Sequence, residues 1–76
     1  MTRFFFDYTA KEQSLLDYGG HEFRSPQAAV EFAEAIAHDL KNSLTENWLG
    51  WSVEVRNATG MRLLSLPVDS PELEAA

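Results

Sequence analysis

The chain has no cysteine among its 76 residues. Disulfides, thiolate metal sites and thiol nucleophiles are therefore excluded, and a reducing compartment is compatible. Positive charge is also scarce, with six Lys and Arg against twelve Asp and Glu and a net charge of −6. A nucleic-acid binder normally gathers basic residues into a patch that displaces counterions from phosphate. Here Arg3, Lys11, Arg24, Lys41, Arg56 and Arg62 stand singly along the chain, which argues against a nucleic-acid partner. No apolar run approaches the ~20 residues of a membrane span. The opening Arg3, three Phe and Asp7 lack the apolar stretch of ~7–15 residues that a signal peptide needs. The expectation is a cytoplasmic protein with no membrane partner.

Catalytic and phosphate-binding motifs are missing too. Gly19-Gly20 is not followed by the Lys-Ser or Lys-Thr of a phosphate loop, and no Gly-x-Gly-x-x-Gly occurs. No serine stands in a nucleophile elbow. The two histidines, His21 and His38, are too few for a typical structural zinc site. Asn57-Ala58-Thr59 matches a glycosylation pattern but reads as a turn. The expectation is a non-enzyme without a cofactor.

What remains is a chain that is 45% hydrophobic, enough for one small core. A domain this short buries only about 60% of the surface its unfolded chain exposes. Self-association is therefore an expected source of added stability.

The local patterns alternate between strand and helix periods. Phe4, Phe6 and Tyr8 point one way and Arg3, Phe5 and Asp7 the other, the period of a strand. Asp7 is expected to face solvent. Thr9–Ser14 reads as a turn and Leu15–Tyr18 as a second strand. Gly19-Gly20 should bend that strand before His21–Phe23 resumes it. Ser25 can cap a helix that opens with Pro26. Ala29, Ala33, Ile36, Leu40 and Leu44 follow at spacings of four, three, four and four, one stripe at ~100° per residue, widened by Phe32 and Ala37. The helix is expected over Pro26 to about Thr45. Trp51–Val55 alternates as a third strand, Asn57–Gly60 turns, and Met61–Val68 forms a fourth. Leu64 and Leu66 are expected inward with Arg62 at their rim, and Pro67 suits an edge strand.

The expected fold is α+β, a ββαββ domain over residues 1–68, followed by an acidic flexible tail over residues 69–76. Four strands form an antiparallel sheet in the order 2-1-3-4, with one helix packed on one face. The other face would carry Phe5, Leu63 and Met61. An aromatic there is either an interface or a ring covered by long neighbours such as Arg56 and Glu54. Trp48 is a further interface candidate, or else it closes the end of the helix while Trp51 joins the core. Asp17, His21 and Glu22 cluster around the glycine pair and are weak candidates for a metal or small ligand. A polar bend is the blander reading, because one imidazole and two carboxylates are fewer ligands than most sites need.

Several segments together carry a resemblance. They are Arg3-Phe4-Phe5-Phe6-Asp7, Gly20-His21-Glu22-Phe23, the Ala-rich helix, Trp51-Ser52-Val53-Glu54-Val55 and the closing Gly60, Leu63-Leu64 and Leu66-Pro67. In this order, over about residues 2 to 68, the chain resembles a family of short uncharacterised bacterial proteins, a domain of unknown function common in rhizobia and related bacteria. Where that family has an Asp/Gly-rich first turn, this chain has Thr9-Ala10-Lys11-Glu12-Gln13. The resemblance implies a bacterial, cytoplasmic protein and supplies no catalytic residues. The element order is also similar to the antitoxin half of a toxin–antitoxin pair of the partial ribonuclease-H type, without its DNA-binding segment. The favoured functional expectation is a protein-interaction module that forms a homodimer. The alternatives are an antitoxin-like or regulatory partner of another protein, and a ligand or metal binder at Asp17, His21 and Glu22.

Overall fold

Alternating aromatics at the N-terminus form strand β1, Thr2–Thr9, with Phe4 and Phe6 buried on one face. The computed structural model describes residues 1–68; the acidic segment at 69–76 lies outside them. The remaining elements are β2 (Ser14–Leu15), β3 (His21–Phe23), α1 (Pro26–Lys41), β4 (Ser52–Asn57) and β5 (Arg62–Pro67). The antiparallel sheet runs β2-β1-β4-β5, with β3 also paired to β1. This is the expected order, with the second strand split in two. The split follows from register. Tyr8 opposes Leu15 and Phe4 opposes His21. Residues 5–7 of β1 therefore face residues 16–20, two more than an unbroken ladder would hold. Gly20 makes the return possible at φ +72°, passing so close to β1 that a Cβ would lie 2.9 Å from the Phe4 carbonyl oxygen.

Helix α1 starts where expected. The Ser25 hydroxyl accepts from the Ala28 N–H at 3.2 Å, and Pro26 occupies the first turn. It ends at Lys41, four residues before Thr45. Asn42 stops it: both its backbone N–H and its side-chain amide donate to the His38 carbonyl. Ser43 then accepts from the Thr45 and Glu46 N–H groups, so local polar side chains replace the next helical bonds. Leu44, expected on the buried stripe, is 100% exposed. Ala29 and Ala33 are the fully buried residues of α1 and let it lie close on Phe4, Phe6, Val53 and Val55. Leu64 and Leu66 pack against this core, as expected.

The third strand begins one residue later and ends two residues later than expected. Trp51 is half-buried just before it, its ring 5.2 Å from Trp48. The turn to β5 is held by Asn57, whose side-chain oxygen accepts from the N–H groups of Thr59 and Met61. This is the use the structure makes of the glycosylation-like triplet. Val55 opposes Leu64 while Arg56 opposes Arg62, a register shift that inserts Leu63 as an extra residue. The shift turns Arg62 away from the Leu64 side, where it was expected, to pair with Glu54 on the far face at 3.2 Å.

Candidate functional site

The two faces of the sheet offer different surfaces. On the face away from α1, Asp7 is 5% exposed, not solvent-facing as its alternation suggested. Its carboxylate accepts from Arg56 Nε at 2.7 Å and from the Asp17 N–H at 2.9 Å. Arg56 Nη2 also donates to the Asp17 carbonyl at 3.0 Å. The Arg56 side-chain bond to Asp7 raises its already high pKa further, against the opposing effect of burial, with the charges of Asp7, Asp17 and Tyr18 adding to the rise. The guanidinium carbon lies 4.8 Å from the centroid of the Phe5 ring, within cation–π range. Phe5 is half-buried under this cover. Thr9 donates to Glu54 at 3.3 Å, and Arg3 pairs with Glu22 at 3.1 Å. Three arginines thus engage three carboxylates on one face. Among the described residues no buried side-chain nitrogen or oxygen lacks a partner.

Asp17 repairs the interrupted strand. One carboxylate oxygen accepts from the Phe6 N–H at 3.2 Å, standing in for the missing strand backbone. The other accepts from Gly19 and Gly20 at 3.1 and 3.0 Å. Burial by itself raises the Asp17 pKa, but the N–H groups of Gly20, Phe6 and Gly19 and the nearby His21 outweigh it and hold the carboxyl below its ordinary value. The Tyr8 hydroxyl is pushed up, first by burial and then by the Asp17 charge.

On the helix side the split strand leaves a groove of about 390 Å³. Phe6 and Tyr8 form its floor, Phe32 and Ile36 one wall, and Leu15, Leu16, Asp17 and His21 the other. The His21 ring packs 5.3 Å from Phe32 and 6.1 Å from Phe6. Leu15, Leu16 and Phe32 keep 51%, 49% and 37% of their surface exposed beside it.

Of the trio around the glycine pair, Asp17 and His21 share one wall of the groove, Asp17 bound to backbone N–H groups and His21 facing the helix, while Glu22 binds Arg3 on the other side of β3. Among the described residues no group of three or more His, Asp or Glu is arranged to hold a metal ion. Met61 and Leu63 are 61% and 46% exposed at one end of the sheet. Trp48 is half-buried, its ring 5.8 Å from Tyr8. Sequence reasoning missed the groove. The available signal was Leu15-Leu16, two adjacent apolar residues that break a strand alternation. Phe32 at the edge of the helical stripe was the second.

No helix among the described residues is long and apolar enough to cross a membrane. No curated protein and no solved structure matches the chain. A family model described as "Domain of unknown function (DUF6894)" matches residues 3–69. The match takes in β1 from Arg3 onward, the glycine bend, the helix and the closing hairpin, and the chain belongs to this family of unknown function.

Proposed function

We propose that the chain is a non-enzymatic interaction module of a bacterial cytoplasm, and that it self-associates through β5, the edge strand of the sheet among the described residues. The observation that carries this reading is the open apolar pair Met61 and Leu63 beside that edge. Phe5, the other candidate on this side, has Arg56 as its cover. The edge still has backbone groups to offer. The Val68 N–H donates to the Trp51 carbonyl at 2.8 Å. At period two, Leu66 then faces β4 while Ser65 and Pro67 face outward. Pro67 has no N–H, so pairing with a second copy would centre on Ser65. The arginine beside this edge, Arg62, is matched by Glu54, so two copies would meet with little charge repulsion.

The ionisable groups of the sheet have structural work that explains them without catalysis. Asp7 and Asp17 hold backbone and Arg56, and His21 lies between aromatic rings. Sedimentation equilibrium over a wide concentration range tests the proposal. A dimer is expected, converted to monomer by Ser65→Pro and weakened by Leu63→Glu. A parent chain that stays monomeric, or a dimer that survives Ser65→Pro, overturns it. A second reading, a regulatory partner of another protein in the manner of an antitoxin, is favoured by the groove of Leu15, Leu16 and Phe32.

A further inference from the structure

We infer that the groove between α1 and the split strand is a docking site for a short amphipathic helix of another protein, one with an apolar stripe flanked by Lys or Arg. This goes beyond self-association through β5 and uses a different surface. The groove is apolar at its floor and along the helix wall, and three of its large side chains are already half open. Filling it would complete the burial of Leu15, Leu16 and Phe32, and burial of apolar surface drives such docking.

Charge selects the partner. The three arginines of the far face are matched one to one by Glu22, Asp7 and Glu54. The described residues hold nine Asp and Glu against six Lys and Arg, a difference of −3. No Lys or Arg lines the groove, whereas Asp17 does. Asp39 follows Ile36 by three residues, on the same side of α1, with its side chain 85% exposed. A second copy docked groove to groove about a two-fold axis would set these carboxylates against their own equivalents. A basic partner would meet them favourably, which raises its association rate and makes binding salt-sensitive.

Geometry selects a helix over an added strand. Strand addition needs a continuous free edge. The edge here is two residues of β2, a bend, and three residues of β3, with Asp17 already bound to the Phe6 N–H that the bend leaves. An apolar hollow with half-open walls suits side chains at i, i+3, i+4 and i+7.

The test uses the whole chain and a synthetic fifteen-residue peptide with Leu at those spacings and Lys elsewhere, followed by fluorescence anisotropy. Two control peptides replace every Leu by Ser or every Lys by Glu. Binding of the Leu/Lys peptide alone is expected, weakened about tenfold or more by Leu16→Ser or Phe32→Ser and unchanged by Leu63→Ser. Phe32 also touches Phe6 and Phe23, so the half-exposed Leu16 variant carries the test if Phe32→Ser unfolds. Equal binding of the Ser/Lys or Glu-bearing peptide, no binding at all, or loss through Leu63→Ser in place of Leu16→Ser overturns the inference. Failure of the β5 dimer does not touch it, since that result is read by sedimentation of the parent chain alone.

Discussion

Phe4, Phe5 and Phe6 are consecutive, yet the two faces of the sheet hold them by different physics. Phe4 and Phe6 meet Ala29, Ala33, Val53 and Val55 under α1, in a core of apolar contact. Phe5 meets no helix. Its cover is the Arg56 guanidinium, which Asp7 and the Asp17 carbonyl hold in place. One face is closed by burial, which any apolar side chain of suitable volume could supply. The other is closed by a charged group whose position depends on hydrogen bonds at defined distances. A single helix can cover only one side of a sheet. In this molecule an ionic lid takes the place of a second layer.

The apolar side should give the largest response. Phe6→Ala removes a buried ring and should cost about 3–5 kcal/mol, enough to unfold much of a domain this small, as read by urea denaturation. The ionic side should respond asymmetrically. Asp7→Ala leaves Arg56 part-buried without its carboxylate and should cost about 3 kcal/mol. The double variant Asp7→Leu with Arg56→Met should lie close to the parent, since the pair and its desolvation cost leave together. If the double variant is as unstable as the single one, the lid does more than satisfy its own charges.

The bend between β2 and β3 joins the two faces and should come next. Gly20→Ala places a side chain at φ +72° and 2.9 Å from Arg3 Cγ and the Phe4 oxygen. Backbone strain alone should cost about 2 kcal/mol. A variant as stable as the parent would show that the strand can close without the bend.

The smallest effect is the pH dependence of Asp17. Its folded pKa lies below the unfolded value near 3.8. The native state therefore binds fewer protons, and stability rises with pH through that interval. The contribution is present above about pH 4 and is lost as pH falls towards the folded value. Denaturation midpoints taken from pH 5 downward should fall, and Asp17→Asn should flatten that acid limb. An unchanged slope in the variant would assign the acid sensitivity to other carboxylates.

Local patterns made most of the fold legible. The period-two aromatics of β1, Ser25-Pro26 at the helix start and Asn57–Gly60 at the last turn each act within a few residues, so the elements and their sheet order can be read along the chain. The helix end was less legible because Asn42 and Ser43 offer the backbone bonds that compete with further helical turns, and an apolar stripe does not report that competition. The site was least legible. The alternation places Asp7 towards solvent because its partner stands 49 residues away, and the groove exists because two extra residues opposite β1 split the second strand.

Composition and periodicity dictated that this is a small, cysteine-free, acidic α+β chain with an amphipathic helix between two hairpins. These properties follow from side-chain chemistry and from backbone geometry over one or two turns. Register decided the rest. The two-residue excess opposite β1 places Asp17 against the Phe6 N–H and opens the groove beside Leu16 and Phe32. The shift between Val55 and Arg56 sends Arg62 to Glu54. Register is a property of two strands at once, fixed by how their side chains share one core, so it emerges only when distant segments pack together.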